Sequence, residues 1–294
     1  KVDDLSLRYV EYFFRGAVDL DGVITGAAQP QITRKSLAPV RIGYPPLEEQ
    51  QRIVAVLDEA FEGLARARAH AEANLQNARE LFGSELASVC KKHAEQYGTV
   101  SLAELSEEIT DGDHMPPPKA QEGVPFVTIK NINKETHVID FSDTFKVPES
   151  YYQELKDKRK PRDGDVLYTV TGSFGIPVLV QPGQRFCFQR HIGLIRPKRD
   201  VSPEWLYFVL VSPLVFKQAD AGATGTAQRT VSLKLLRSMV VPSVPSKLQS
   251  AIAARFRDIH SEARLLAENY ESKLQDLDDL RQSLLQKAFA GELA

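Results

Sequence analysis

The sequence predicts an α+β chain: a globular domain with a twisted, mostly antiparallel sheet, flanked by two long helices that pair with each other. Three observations predict it. From Leu47 to Ala94 there is no proline, and the only glycines are Gly63 and Gly83. Residues 246–290 form a second such run. Between them lie short β-rich segments separated by glycine and proline turns.

In the first run, Ile53, Leu57, Ala60, Leu64, Ala67, Ala71, Ala78 and Leu81 recur in steps of four and three with one gap. That is the stripe of a helix lying along another helix. In the second run Ile252, Phe256, Ile259, Ala263, Leu266, Tyr270, Leu277, Leu280 and Leu284 do the same. Asn74 and Lys273 interrupt the two stripes, and polar residues at such places are expected to fix register. At ~1.5 Å per residue the first helix reaches roughly 70 Å. Pro45 and Pro46 stop any continuation from upstream, and Glu48 and Glu49 sit on the helix's positive end.

Ahead of that helix, Val10–Arg15 predicts a short helix, Gly16–Gly26 a loop and Val40-Arg41-Ile42 a strand. The central stretch predicts strands at Pro125–Ile129, Asp165–Thr171, Val178–Gln181, Phe186–Phe188 and Ile192–Arg196. Pro116–Pro118 is a stiff loop, and Lys156–Arg162 is a basic one with five Lys or Arg in seven residues. A helix is expected from Pro203 to about Val211.

The 294 residues suffice for about two domains, and 43% hydrophobic with 26% charged residues is a globular composition. No run of ~18 apolar residues spans a membrane. Cys90 and Cys187 stand alone, without a CxxC motif or a histidine at metal spacing, so neither a disulfide nor a metal site is expected. Free thiols fit a reducing, cytoplasmic setting. The net charge of −2 hides a division. The helical runs carry the acidic excess, while residues 96–245 hold 18 basic against 17 acidic groups.

The chain also repeats itself. At an offset of 196, Tyr9-Val10-Glu11-Tyr12 faces Trp205-Leu206-Tyr207-Phe208, and Gly26-Ala27 faces Gly222-Ala223. Ser36-Leu37 faces Ser232-Leu233, Arg41 faces Arg237, and Pro46 faces Pro242. After a three-residue shift Gln50 and Ile53 face Gln249 and Ile252. A globular domain followed by a long helix is therefore expected twice, the first copy lacking most of its globular part.

Several motifs are specific when taken together. They are Thr110-Asp111-Gly112-Asp113-His114, Gly123–Val127 leading to Lys130-Asn131-Ile132, and Gly164–Leu167 with Thr171–Gly175. Gln189–Pro197, Gly225–Gln228 before Ser232-Leu233, and the proline-to-helix junctions complete the set. With them the chain resembles, over essentially its whole length, the DNA-specificity subunit of type I restriction-modification systems. The resemblance implies two target-recognition domains held apart by two helices pairing as an antiparallel coiled coil. It divides this chain into a remnant of the first such domain (1–45), a central helix (46–95), a second recognition domain (96–245) and a C-terminal helix (246–294). It implies a non-catalytic subunit binding double-stranded DNA with a bipartite target, two methyltransferase subunits and, through the complex, restriction subunits. S-adenosylmethionine and ATP with Mg would belong to those partners, with no cofactor here.

The residues agree with a non-catalytic role. There is no [N/D]-P-P-[Y/F] run, no Gly-x-Gly cofactor loop after a strand and no G-x-x-x-x-G-K-[ST] loop. Glu154-Leu155-Lys156 lacks an upstream Pro-Asp and opens the basic loop. Base reading needs donors and acceptors on loops, together with phosphate anchors. The candidates are Asp113 and His114, Thr171 and Ser173, Gln189, Arg190 and His191, and Thr226, Gln228 and Arg229, with Asn131. Each has a structural alternative: a turn cap, a tight turn or an inward-facing side chain. Lys119, Lys130, Lys158, Arg159 and Lys160 are phosphate candidates whose alternative is plain solvation. Gln29 and Gln31 lie in the first copy's version of the 226–229 loop, which favours a shared role over half-site specificity. The rival reading is a coiled-coil adaptor whose central domain binds protein.

Overall fold

In a computed structural model, residues 4–18, 23–25, 30–226 and 228–293 are described. In chain order the elements are α1 (Leu7–Gly16), α2 (Arg34–Leu37), α3 (Leu47–Tyr97), β1 (Thr99–Ser101), α4 (Leu102–Leu105), β2 (Ser106–Asp111), β3 (Val124–Val127) and β4 (Phe145–Val147). There follow α5 (Glu149–Glu154), β5 (Val166–Thr169), β6 (Pro177–Leu179), β7 (Cys187–Phe188), β8 (Ile192–Pro197), α6 (Pro203–Val211), α7 (Pro213–Gly222), α8 (Leu233–Ser238), β9 (Val240–Pro242) and α9 (Ser246–Ala290). The chain forms two compact units, one of Lys1–Arg79 with Arg264–Ala294 and one of Glu80–Ala263. No described helix is long and apolar enough to cross a membrane.

In the first unit α3 and α9 run antiparallel, with Arg68 paired to Asp278 and Arg79 to Glu271. The short α1 buries Tyr9 and Tyr12 against Ile53, Leu57, Leu285 and Ala288. Phe289 meets the edges of Tyr9 and Phe13 at centroid distances of 5.2 and 5.4 Å. Seams of this kind are stabilised by area removed from water, about 1.5–3 kcal/mol for each large side chain fully buried. The ion pairs along the helix surfaces are exposed and add little.

The seam differs from the sequence expectation by one residue in places. Leu75 is buried where Asn74 was expected, and Leu81 is exposed while Phe82 packs inward. In α9, Lys273, Leu266 and Leu280 point to solvent, and Ala267, Leu274 and Leu277 are half-buried. Neither Asn74 nor Lys273 lies in a seam, so neither fixes register. The cause is geometric. A 3.6-residue helix drifts against a strict 3.5 repeat, and steps of four from Ala71 to Leu75 and from Phe82 through Leu86 to Cys90 absorb the drift.

The second unit is built on an antiparallel four-stranded sheet in the order β2-β8-β5-β6. Both faces are covered, and the strand side chains divide by period two. Val166, Tyr168 and Ile195 face a core that includes Trp205, Leu206, Phe208, Leu86 and Phe256. Leu167 and Leu194 face the other core, with Phe186, Phe188 and Val178. A three-stranded sheet, β4-β3-β7, joins β3 and β4 antiparallel but β3 and β7 parallel. β1 and β9 form a separate antiparallel pair. The segment Val40–Ile42, expected as a strand, forms none among the described residues.

The internal repeat is visible in hydrogen bonds. Gln50 is wholly buried: its Oε1 accepts from Ser6 N at 2.8 Å, and its Nε2 donates to Asp4 O at 2.9 Å and Pro45 O at 2.8 Å. Gln249 is 2% exposed; it accepts from Ser202 N at 2.7 Å and donates to Val244 O at 2.9 Å. Ser6 and Ser202 are in turn the N-caps of α1 and α6. The same clamp therefore ties a capped short helix to the start of a long one in each copy. The offset is 196 at the serines but already 199 at Thr33 and Ser232, the N-caps of α2 and α8. The three-residue shift thus precedes α2, and Pro46 corresponds to Pro245, where the sequence reading had set it against Pro242.

Each buried glutamine satisfies backbone groups for which no other partner stands among the described residues. Gln249→Ala should destabilise the chain by about 2–4 kcal/mol in urea unfolding, since stranded buried groups cost ~1–3 kcal/mol each. A loss below about 0.5 kcal/mol, typical of an exposed site, would contradict the clamp.

Candidate nucleic-acid interface

The central unit has an open cleft of about 480 Å³ at the ends of its two larger sheets. It is lined by the Thr128–Asn131 turn after β3, the Thr171–Ser173 loop after β5, Gln189 and His191 before β8, Gln228, and Asp143 with Phe145. Seven of the sixteen sequence candidates meet there: Lys130, Asn131, Thr171, Ser173, Gln189, His191 and Gln228.

Local chemistry fixes the frame of this cleft and leaves part of its lining free. Asn131 is buried; its Oδ1 accepts from Thr128 N at 2.9 Å and Thr128 Oγ1 at 2.8 Å, and its amide donates to Asp143 O. It builds the turn that presents Lys130, and its polar atoms are spent there. Thr171 is buried in a bridge to Thr230. Lys130, Ser173, Gln189 and Gln228 make no side-chain hydrogen bond or ion pair among the described residues, so their donors and acceptors are open to a ligand. Burial and the neighbouring Arg190 hold His191 below the usual histidine range. At neutral pH it is therefore uncharged, with one donor and one acceptor nitrogen. The lining mixes Lys130 with Asp143, so the cleft is polar without being strongly basic.

Beside the cleft, Asp113 bridges to Gln189 and anchors a second cluster. Its Oδ1 accepts from His114 N at 2.7 Å, Tyr151 donates its hydroxyl to Oδ2, and Arg159 lies 3.6 Å away. Burial opposes ionisation of Asp113. The Tyr151 hydroxyl, the amides of Met115 and His114 and the Arg159 charge outweigh it and hold the carboxyl below the ordinary aspartate range. His114 is exposed, with Nε2 2.8 Å from Asp111 Oδ2.

The basic loop differs most from the sequence expectation. Arg159 pairs with Asp111 and Asp113, and Lys160 donates to Gln153 O at 3.1 Å and lies over the Tyr152 ring. Arg196 locks the loop from beneath, with a buried two-pronged pair to Asp165 (3.0 and 2.8 Å) and a bond to Lys160 O. Of Lys158, Arg159 and Lys160, only Lys158 stands in solvent. Arg229 is likewise held, with Nη1 2.6 Å from Asp220 Oδ1 and its guanidinium over the Phe174 ring. Lys119 lies over the ring of Phe145 at the cleft wall, Arg190 is exposed next to His191, and Thr226 is exposed. Gln31 closes a bridge with Thr25, while Gln29 falls outside the described residues. Sequence reasoning missed Phe145 and Asp143. The alternating Phe145-Lys146-Val147 was the available signal for a strand placing Phe145 here, where it stacks on Phe126.

Cys90 and Cys187 are both free and buried. Burial pushes the Cys90 thiol up to about 11 and the Cys187 thiol to about 12, so neither is a ready nucleophile.

A model of the type I restriction modification DNA specificity domain matches residues 5–71. The chain is similar to the Type I restriction enzyme EcoBI specificity subunit of Escherichia coli, 23% identical over 324 aligned positions that cover all of this chain and 68% of the relative. It is 25% identical to the EcoKI specificity subunit of Escherichia coli (strain K12), covering 93% of this chain and 62% of that one. Over its whole length the chain is similar to type I restriction-modification specificity subunits. It spans roughly two thirds of the length of these relatives. Two solved structures share the fold. One comes from work on complex assembly and conformational transition of the type I R-M system (TM-score 0.71, 21% identity, 98% of this chain, 69% of that chain). The other is the HsdS subunit from Thermoanaerobacter tengcongensis (TM-score 0.61, 21% identity, 99% of this chain, 72% of that chain).

The Asp113 cluster makes a pH-dependent prediction. A carboxyl depressed in the folded state stabilises fully above the unfolded value of ~3.9, and that contribution disappears as the pH falls through the folded value. Tyr151→Phe should raise the Asp113 pKa towards the ordinary value, cost about 1–2 kcal/mol at neutral pH, and move acid unfolding to higher pH. Carboxyl-carbon NMR titration checks it, and an unchanged Asp113 pKa would refute the assignment.

Proposed function

We propose that this chain is a type I specificity subunit that reads one half of a bipartite double-stranded DNA target through the cleft of its 96–245 domain. In this reading it also scaffolds the adenine-methylating and motor-nuclease subunits without chemistry of its own. The observation that carries it is convergence. Loops far apart in sequence bring Lys130, Ser173, Gln189 and Gln228 to one open surface with their polar groups unspent. Gln suits adenine and the neutral His191, whose Nε2 accepts from Arg190 Nε at 3.5 Å, keeps its other nitrogen as a donor, while Lys130, Lys119 and Lys158 supply phosphate contacts from the same unit. The similarity to type I DNA specificity subunits supports the choice of DNA over a protein partner. S-adenosylmethionine, ATP and Mg belong to the partner subunits in this reading.

The division into 1–45, 46–95, 96–245 and 246–294 is part of the proposal. Residues 1–45 carry the end of a first recognition domain, and the two helices set the distance between half-sites. The duplicated glutamine clamp supports it, since both copies enter their long helix in the same way. DNA methylation and restriction are then properties of the assembled complex in the cytoplasm.

Inserting one heptad into both long helices of the full specificity subunit, assembled with its methyltransferase subunits, should change the spacer of the enriched DNA target. The half-site sequences should stay as they were. Recovery of the original spacer from a randomised duplex pool would contradict the ruler role.

A further inference from the structure

Two loops are closed by the same pair of backbone hydrogen bonds. Thr25 and Gln31 exchange N–H···O bonds of 2.8 Å in both directions, and Thr224 and Thr230 exchange bonds of 3.0 and 2.7 Å. At this spacing, 199 positions, the sequence Thr25-Gly26-Ala27-Ala28-Gln29-Pro30-Gln31 aligns with Thr224-Gly225-Thr226-Ala227-Gln228-Arg229-Thr230. Thr, Gly, Ala and Gln recur in place.

Two of the recurring residues in the second loop have structural reasons. Thr224 closes the bridge. Gly225 has φ +108°, and a Cβ there would fall 2.5 Å from Gln228 O, so only glycine fits. Thr171-Gly172 is stitched to the same loop, with Thr171 bridged to Thr230 and Gly172 N donating to Arg229 O at 3.1 Å. Gln228 has no such reason. It is exposed, lines the cleft beside Gly172, and its side chain has no hydrogen-bond partner among the described residues. A glutamine that recurs at the same sequence position in both copies, and at Gln228 has no work inside the fold, has its partner outside the protein.

That partner follows from the reading of the cleft as a DNA surface, on which this inference rests. Where two half-sites differ, the same side chain in the same loop cannot discriminate both. What the half-sites share is the sugar-phosphate backbone and, on this reading, the adenine each presents for methylation. An adenine contact would cost affinity for the enriched duplex alone, a backbone contact for any duplex. We propose that Gln228 is a sequence-independent backbone contact, its amide N–H donating to a phosphate oxygen of the duplex, and that Gln29 is its counterpart in the first copy. Specificity then falls to other cleft residues, Gln189 first among them.

The test measures binding of the full chain to the duplex enriched from a randomised pool and to an unrelated duplex of equal length, across a salt series. Q228A should weaken both by a similar factor, about ten- to a hundredfold for one hydrogen bond to a charged phosphate oxygen. Its melting temperature and salt slope should be unchanged, because no cation is removed. Q228E, which keeps the shape but cannot donate and repels phosphate, should lose more. Q189A should instead lower the ratio between the two duplexes. Q228A binding as tightly as the unaltered chain, losing affinity for the enriched duplex alone, or melting lower in proportion to its lost binding would each overturn the proposal. If the unaltered chain binds neither duplex, the reading of the cleft as a DNA surface fails first and this inference falls with it.

Discussion

A buried glutamine at the head of each long helix is the interaction on which the rest of the fold depends. Gln50 and Gln249 each accept from the amide of a helix-capping serine and donate to the carbonyl just before their own helix. An uncharged amide serves here because it both donates and accepts. A carboxylate could only accept, and would carry a charge that burial penalises. The clamp fixes the angle at which a short apolar helix meets a long one. In the first unit that places Tyr9 and Tyr12 on Leu57 and Leu285. In the second it places Trp205 and Phe208 among Leu86, Phe256 and the strand residues that carry the cleft loops.

From that frame the cleft follows. β5 and β8 are buried on both faces, so their ends cannot move independently, and the loops that leave them are held at fixed separation. Buried and half-buried polar pairs then decide which side chains are available. Asp165 with Arg196 and Asp113 with Tyr151 consume polar groups to hold loops in place. Lys130, Ser173, Gln189 and Gln228 are left facing outward. A surface for reading a nucleic acid needs both kinds of residue, because contacts that discriminate among bases require side chains held in register.

Much of the architecture was legible in the sequence. The proline-free runs and their apolar steps fixed α3 and α9 within a few residues, since long periodic segments carry the strongest signal. The one-residue seam error at Asn74 and Lys273 arose because a strict heptad ignores helical drift. The strands β1, β2, β4 and β9 went unread, three of them only three residues long and all set by pairing with distant segments. At the cleft, residue type pointed to seven of its lining residues. It could not show that Arg159, Lys160 and Arg229 are occupied, because their partners Asp111, Asp113, Gln153 and Asp220 are matched by folding and not by spacing.

On the proposed reading the cleft of the 96–245 domain, and not an exposed face of the helices, meets DNA. Photo-crosslinking the full chain to an enriched duplex carrying iodouracil in place of thymine, followed by peptide mapping, tests it most directly. Adducts should fall in the segments 128–131, 171–174, 189–191 and 224–230. Adducts confined to the long helices, or spread without preference over both units, would contradict it.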